Sequence, residues 1–471
     1  MSLRNKRIKI EAGNPFANCK LNRHRYSEVL SNIVTTYSEG FVLAINNKWG
    51  TGKTTFVKMW EQELKDKGFL TINFNAWEND FENNPLIALM GELKVLTSIE
   101  TELEYKATLK RAATFSKNIA PVIVQAIADK YIDTKGIKDA IASVTKGLAE
   151  VFEKEVNDYS NKKKSVAEFK ESLSKFIAKT KRGKPIIFII DELDRCRPDY
   201  AVSVLEQIKH FFSVPNIVFV LAIDKIQLGY AIKGVYGNDN IDSDEYLRRF
   251  IDIEYSIPEP DTDSYCNYLY ELLGFDNFFN SNKRLKIQKL ESDKKDFLDM
   301  IKFLIKNSSL TLRQQEKVFI LCRLVLRTIP ENYYAVPYFL SFLIFTKIIY
   351  FDFYSDLKGN KLTISQVQEK FLEIFLNNIL EENEKALILL EAYLVNYYNN
   401  NLNSERKKTL IQKGQDGHSK LLISSVINKK MDNHLLRILE DINRGRNEGN
   451  LNLNYFINKI ELMENFQFEE K

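Results

Sequence analysis

The stretch "LAINNKWGTGKTTF" (residues 43–56) decides the fold of this protein. It begins as an apolar run, passes through a loop with two glycines, and continues into "TTFVKMWEQELKDKG" (residues 54–68), whose apolar spacing is that of a helix. A loop between a buried strand and a helix directs successive backbone N–H groups at phosphate oxygens, and the helix N-terminus adds a favourable dipole. The stretch therefore predicts a phosphate-binding loop.

Each residue type in this loop suits a phosphate. Gly50 and Gly52 let the backbone approach closely, and Lys53 can reach the terminal phosphates of a nucleotide. Thr54 can bind Mg²⁺ through its hydroxyl. We predict a nucleotide-binding set within this stretch, which consists of Asn47, Trp49, Gly50, Thr51, Gly52, Lys53, Thr54 and Thr55. On this motif alone, a Gly-Lys-Thr on a chance loop is the alternative.

Asn47 occupies the position at which this motif ordinarily has its first glycine. That glycine mainly supplies an unusual backbone angle, and asparagine is the residue that best tolerates left-handed angles after glycine. We therefore expect Asn47 to take the left-handed backbone of the missing glycine and to leave the loop functional.

A second motif, "KPIIFIIDELDRC" (residues 184–196), supplies the acidic residues that such a site needs. Its apolar part lacks polar alternation, which is typical of a strand buried on both faces of a parallel sheet. Asp191 is placed to order Mg²⁺ and its waters, and Glu192 to orient or deprotonate the attacking water. Alternatively, Asp191, Glu192 and Asp194 only cap the next segment. Together with the upstream loop, they predict a nucleoside triphosphatase core.

Strand and helix patterns alternate through the first half of the chain. Apolar segments typical of strands lie at residues 41–46, 69–77, 184–191 and 216–224, and at the end of residues 245–258. This alternation predicts an α/β fold with a mostly parallel, doubly wound sheet, and the two motifs above make it a P-loop NTPase core.

Helical periodicity dominates the other parts of the chain. Between the two motifs, it predicts a helical insertion at about residues 85–180 of an α/β domain that spans residues 1–260. Residues 261–330 are predicted to form a helical lid, and residues 331–471 an α-helical C-terminal domain for partner binding or oligomerisation. We find no catalytic cluster in that last part.

Composition excludes several classes of protein. The 67 Lys and Arg residues nearly balance the 63 Asp and Glu residues, so charge alone does not indicate a nucleic-acid partner. The four cysteines are too far apart in sequence for a zinc motif or a disulfide framework. Residues 119–128 are too short to span a membrane, and Lys347 and Asp352 interrupt the apolar residues 336–354. We expect a cytoplasmic protein.

Seven blocks, in order, make this chain similar to the KAP family of P-loop NTPases, within the STAND and AAA-like ATPases. The blocks are "NPFANCKLNRHRYSEVLSNIV" (14–34), the Walker A block "NKWGTGKTTF" (47–56), "NFNAW" (73–77), the Walker B block "FIIDELDRCRP" (188–198), "VFVLAIDK" (218–225), "YLRRFID" (246–252) and "SLTLRQQEKV" (309–318). The Walker B block is the most specific, and the resemblance covers roughly residues 14–330. Many members carry transmembrane helices between the Walker motifs. In this chain, charged amphipathic helices occupy the interval between the Walker motifs, which implies a soluble member of the family.

The resemblance implies catalytic and Mg²⁺-binding roles in the two Walker motifs. Lys53, Asp191 and Glu192 would be catalytic, and Thr54 and Asp191 would hold Mg²⁺. By the same resemblance, Arg23 and Tyr26 would lie near the base of the nucleotide, whereas we expect Trp49 and Trp77 to be packing residues rather than residues that stack on adenine.

Roles outside the Walker motifs follow from the resemblance as well. Asp224 would sense the γ-phosphate, with a helix N-cap as the alternative. Arg313 would be a second-sensor arginine that closes the helical domain over the nucleotide, with a solvated helix arginine as the alternative. Arg248 or Arg249 would be an arginine finger for a neighbouring subunit, and Arg195 is a further candidate there.

These residues predict an ATPase that binds ATP and Mg²⁺ and serves as a regulatory or assembly switch. We expect a homo-oligomer formed through the NTPase domain, with a protein partner or effector encoded nearby. The family resemblance implies a role in bacterial defence against phage or plasmids. One alternative is a nucleic-acid-dependent motor or loader, and another is an ATP-binding scaffold with little turnover, against which Glu192 argues.

Overall fold

The computed structural model describes residues 8–37, 39–82, 84–128, 147–180, 183–209, 214–237, 240–376, 379–413, 419–444 and 451–462. Its contacts divide the chain at Pro260. The described residues up to Glu259 form one compact unit, and the described residues from Pro260 onward form a second. Both Walker motifs lie in the first unit.

A parallel sheet forms the centre of the first unit. Its strands are β1 (Phe41–Asn46), β2 (Thr71–Asn75), β3 (Ile186–Asp191), β4 (Ile217–Ile223) and β5 (Ile253–Tyr255). Their order is β2-β3-β4-β1-β5, and every neighbouring pair is parallel. The strands that precede the two Walker motifs, β1 and β3, are therefore separated by β4. This arrangement confirms the predicted mostly parallel α/β fold.

Both faces of the sheet are buried, which explains why its central strands lack polar alternation. Along β3, Ile187 and Ile189 pack in one core, whereas Phe188 and Ile190 pack in another. The first core is covered by α1 (His24–Thr36) and α2 (Lys53–Asp66). The second is covered by α3 (Pro85–Leu93), α6 (Pro198–Lys209) and α7 (Lys225–Tyr236). Because helices cover both faces, the sheet is doubly wound, as predicted.

Two long helices lie between the Walker motifs, α4 (Glu102–Ala128) and α5 (Gly147–Thr180). They pack on each other through the rings of Phe115 and Phe169, whose centroids are 5.3 Å apart. The same two residues belong to the core beneath α3 and α6. In the part of the chain that the structure describes, no helix has the length and apolar character needed to cross a membrane. A short helix, α8 (Ser243–Arg248), leads into β5.

The second unit is mostly helical. Its helices are α9 (Thr262–Leu272), α10 (Asp276–Phe279), α11 (Asn282–Leu285), α12 (Asp293–Lys306), α13 (Leu312–Leu326), α14 (Pro337–Ile349), α15 (Phe351–Lys358), α16 (Ile364–Phe375), α17 (Glu384–Asn401), α18 (Asp432–Arg444) and α19 (Leu453–Ile460). The aromatic-rich residues 336–354 fall in α14 and α15. Phe339 and Phe342 of α14 are fully buried against Phe456 and Phe371, so this segment is a core, as its sequence suggested.

A short antiparallel pair interrupts the helices of the second unit. It consists of β6 (Ile411–Lys413) and β7 (Ser419–Leu421), which the sequence did not predict because three-residue strands show no usable alternation. The buried carboxylate of Glu391 in α17 fixes the chain that follows. It accepts hydrogen bonds from the hydroxyl of Ser425 at 2.6 Å and the backbone N–H of Val426 at 3.0 Å.

Candidate functional site

The carboxyl ends of four parallel strands meet at one edge of the sheet. The Walker A loop follows β1, Asn75 ends β2, Asp191 ends β3 and Asp224 follows β4. Since parallel strands all end at the same edge, residues far apart in sequence come together there. The edge thus collects the backbone N–H groups of a glycine loop, one buried lysine and several carboxylates.

Two glycines give the Walker A loop its shape. Gly50 and Gly52 both have φ of +80°, in the left-handed region that side chains disfavour. Gly52 is also the residue that precedes the first turn of α2, where unpaired N–H groups of a helix are available to an anion. The hydroxyl of Thr51 donates to the carbonyl of Lys48 at 2.9 Å and closes the loop on itself.

Asn47 acts differently from what its sequence position suggested. Positive φ is found at other asparagines of the described chain, such as Asn22 and Asn216, but Asn47 is not among them, so the expected left-handed backbone is wrong. Its side-chain amide instead pairs with the backbone of Ile257: Nδ2 donates to the carbonyl at 2.8 Å, and Oδ1 accepts from the N–H at 2.9 Å. Asn47 therefore fastens the start of the loop to the chain after β5.

Restoring the ordinary glycine at this position should destabilise the protein. Asn47→Gly removes both hydrogen bonds and leaves the N–H and carbonyl of the buried Ile257 without their partner. We expect the free energy of unfolding of the first unit to fall by about 1–3 kcal/mol, the cost of orphaned buried groups. Urea unfolding followed by circular dichroism measures it. Unchanged stability in Asn47→Gly would show that the two hydrogen bonds are not needed.

Arg23 holds the opposite side of the loop. Arg23 is 4% exposed, and its guanidinium donates to the carbonyl of Thr51 at 2.8 Å and to that of Gly52 at 3.2 Å. Within one peptide unit, the carbonyl and the following N–H point in opposite directions. These contacts therefore direct the N–H groups of Gly52 and Lys53 away from Arg23. Sequence reasoning placed Arg23 near a nucleotide base, whereas the structure places it against the loop carbonyls.

Lys53 begins α2 and is almost fully buried, with 8% of its surface exposed. Its ammonium donates to the carbonyl of Asn47 at 2.9 Å and lies 3.8 Å from the carboxylate of Asp194. Burial lowers the pKa of Lys53, and the charges of Asp194 and Asp191 oppose that shift. The amine is thus held within the loop, close to two carboxylates.

Thr54 and Asp191 form the pair that could hold a metal ion. Thr54 lies in the first turn of α2 and Asp191 ends β3, and the Thr54 side chain is close enough to Asp191 to influence its pKa. Burial raises the pKa of Asp191, and the nearby Thr54 side chain opposes that shift. A hydroxyl and a carboxylate are the hard oxygen ligands that Mg²⁺ takes, with phosphate and water oxygens completing its octahedron. The residues present therefore fit Mg²⁺ bound together with a nucleotide.

Glu192 has a strained backbone and a fully engaged side chain. Its φ of +62° lies in the left-handed region, which is costly for a residue other than glycine. The carboxylate pairs with the guanidinium of Arg195 at 2.8 Å and accepts from the amide of Asn75 at 3.3 Å. Arg195, a candidate for a subunit interface, is thus an intramolecular partner of Glu192 here. Sequence reasoning missed Asn75, although it lies in the block "NFNAW".

Asp224 caps a helix and also touches the Walker A loop. Its carboxylate accepts from the N–H of Gln227 in the first turn of α7 at 3.4 Å, which is the N-cap arrangement. The same carboxylate accepts from the backbone N–H of Trp49 at 3.0 Å. The N-cap alternative is therefore present, and a response to the γ-phosphate stays a prediction.

An aromatic cleft of about 500 Å³ opens beside the loop. Its lining includes Trp49, Trp77, Arg195 and Tyr230. Trp49 is 40% exposed and Trp77 is 52% exposed, so the expectation that both are packing residues is wrong. The indole of Trp49 donates to Asp194, and the ring of Trp77 lies 5.9 Å from the Arg195 guanidinium. These polar and charged neighbours hold the two tryptophans at the surface.

The remaining predicted site residues lie on the surface of their units. Thr55 is exposed on the first turn of α2. Arg248 and Arg249 are exposed at the end of α8, where Arg248 pairs with Glu245 at 2.9 Å. Arg313 is exposed in the first turn of α13 and belongs to the second unit. The roles of these residues toward a nucleotide stay predictions.

Comparison with known proteins agrees with the geometry of the Walker motifs. A family model described as the KAP family P-loop domain matches residues 23–325, more than half of the chain. No curated protein shows a significant sequence match.

Among solved structures, a DNA replication initiation factor aligns with 12% identity and a TM-score of 0.30, covering 97% of this chain and 96% of that one. The Aeropyrum pernix ORC2 protein, solved as ADPNP-ADP complexes, aligns with 10% identity and a TM-score of 0.33, covering 89% and 94%. At such low TM-scores neither similarity supports a conclusion.

Proposed function

The chain belongs to the KAP family of P-loop NTPases, and we propose that it hydrolyses ATP with Mg²⁺ and uses the cycle as a regulatory or assembly switch. The observation that carries the proposal is the buried Lys53 beside Asp194, with Thr54 next to it in sequence and the buried Asp191, followed by Glu192, at the end of β3. A nucleoside triphosphate requires this combination of an anion-binding loop, a cation and a metal-binding carboxylate.

Binding would use groups that are already in place. The N–H groups that Arg23 turns outward and the N-terminus of α2 would cradle the phosphates, and Lys53 would neutralise charge on the β- and γ-phosphates. Thr54 and Asp191 would hold Mg²⁺, which neutralises charge that develops on the transferred phosphoryl group. Little backbone rearrangement is needed, because Asn47 and Arg23 tie the loop on both sides.

Hydrolysis would require Glu192 to turn toward a water molecule. In this structure its two oxygens are bound by Arg195 and Asn75, so the carboxylate is held away from the role of base. Releasing one of these partners would free it to accept a proton from the attacking water. We propose that assembly or partner binding triggers this release and thereby controls turnover.

The proposed switch acts between copies of the chain. The exposed Arg248 and Arg249 support the proposal that one of them reaches the nucleotide of a neighbouring subunit, since a trans-acting arginine has to be accessible. Arg313 would close the helical lid over the nucleotide, and residues 331–471 would bind a partner or effector. Lineage supports bacterial defence against phage or plasmids as the setting.

Phosphate release from ATP by the purified protein tests this proposal. We expect turnover with Mg²⁺ and none with excess EDTA, because Thr54 and Asp191 need the metal to bind phosphate productively. Tight ATP binding without turnover under all conditions would support the scaffold alternative instead. Strong stimulation by DNA, lost steeply as salt rises, would support the motor alternative.

A further inference from the structure

One oxygen of a buried carboxylate connects three parts of the candidate site. Oδ2 of Asp194 accepts from the indole Nε1 of Trp49 at 2.6 Å and from the backbone N–H of Asp224 at 2.8 Å. The ammonium of Lys53 lies 3.8 Å from the same oxygen. The side chain of Asp194 is only 2% exposed, so these contacts are shielded from water.

The distances give the three contacts different roles. The two short ones are hydrogen bonds, one of them to a main chain at the end of β4, and they fix Asp194 and Trp49. At 3.8 Å, Lys53 is too far from this oxygen for a hydrogen bond and is a charge partner only, while its ammonium donates to the carbonyl of Asn47. Lys53 can therefore move toward an anion while both hydrogen bonds of Asp194 stay intact.

A buried ammonium and a buried carboxylate each need a compensating charge. We infer that Asp194 is a positioning residue: it is the resting counter-ion of Lys53, nucleotide phosphates replace it on binding, and it anchors Trp49 throughout the exchange. The inference rests on the proposed function for the nucleotide step. It has a second consequence, because Trp49 lines the aromatic cleft. When Lys53 moves toward the phosphates, the Asp194 oxygen that binds the Trp49 indole loses a nearby positive charge. The surroundings of Trp49 in the cleft therefore depend on whether the loop holds a nucleotide.

A double-mutant cycle without nucleotide tests the counter-ion role directly. The variants are Asp194→Asn, Lys53→Met and the double variant, with the melting temperature as the measured quantity. We expect Asp194→Asn alone to lower it by about 5 °C, since it leaves the buried Lys53 without its partner charge. In the Lys53→Met background the same change should cost much less. Equal losses in both backgrounds would overturn the inference.

A second arm uses the non-hydrolysable analogue AMP-PNP with Mg²⁺. Phosphates should supply the missing negative charge, so AMP-PNP should raise the melting temperature of Asp194→Asn more than that of the parent protein. Glu391→Gln is the control, because Glu391 is a buried carboxylate of the second unit that binds Ser425 and Val426 and is not part of the candidate site. If AMP-PNP raises the melting temperatures of Asp194→Asn and Glu391→Gln alike, Asp194 is an ordinary structural carboxylate.

Tryptophan fluorescence reports the proposed link to the cleft. In a Trp77→Phe protein, Trp49 is the exposed indole and the fully buried Trp60 is a constant background. AMP-PNP should shift the emission of this protein, and Asp194→Asn should reduce the shift. An emission shift unaffected by Asp194→Asn would overturn the link. Failure of AMP-PNP to bind the parent protein would count against the proposed function, whereas the nucleotide-free cycle would still decide the counter-ion role.

Discussion

Replacing Glu192 with glutamine should lower ATP turnover by about 10²–10⁴-fold while ATP binding is retained, the loss expected when a general base is removed. The amide has the size of the carboxylate and can still accept from Asn75, so the fold of the edge should survive. It cannot accept the proton of the attacking water, and it loses the charge that pairs with Arg195. Phosphate release gives the turnover, and calorimetric titration with ATP gives the affinity.

Glu78→Gln is the matched control for this change, because Glu78 is an exposed glutamate just after β2. It should keep parent turnover. If Glu192→Gln traps ATP and the mass in solution rises with ATP, the assembly switch is supported as well. Substantial turnover in Glu192→Gln would remove Glu192 from the role of base, and loss of ATP binding would assign it to binding instead.

The sequence predicts the sheet well because its signals are local. Every residue of β3 and β4 is buried, and an unbroken apolar run is what such strands require. Successive side chains of a strand point to opposite faces of the sheet. Ile189 and Ile190 of β3 accordingly pack in two separate cores. The antiparallel pair of β6 and β7 was not predicted because each strand is too short to carry a pattern.

The candidate site is also predicted well only where its sequence signals are local. Lys53, Thr54, Asp191 and Glu192 are found from motif spacing, since each motif is contiguous and follows its own strand. The partners that fix those motifs are not contiguous with them. Asn47 pairs with a residue 210 positions away, and no pattern within the loop indicates that contact.

Arg23 and Asn75 are further cases of partners that sequence spacing does not reveal. Arg23 reaches the loop across 28 positions and Asn75 reaches Glu192 across 117. Tertiary structure alone brings these pairs together. The exposed tryptophans were misassigned because aromatic residues are usually buried, whereas here hydrogen-bonded or charged neighbours hold them at the surface.

Replacing Lys53 with alanine should weaken ATP binding by about 10²-fold, the value of a charge-assisted hydrogen bond to phosphate, and should abolish turnover. No other lysine in the Walker A loop can replace it, because Lys48 is exposed whereas Lys53 is buried within the loop beside Asn47. A fluorescent ATP analogue measures the affinity, and phosphate release the rate.

Lys48→Ala removes the same charge from the same loop and is therefore the matched control. If the affinity depends on the position of the amine, Lys48→Ala should bind ATP nearly as well as the parent protein. If the two variants lose affinity equally, the general positive charge of the loop is what matters. In that case the geometry around Lys53, including its pair with Asp194, would not explain nucleotide binding. The comparison thus separates a shaped phosphate site from a merely basic loop.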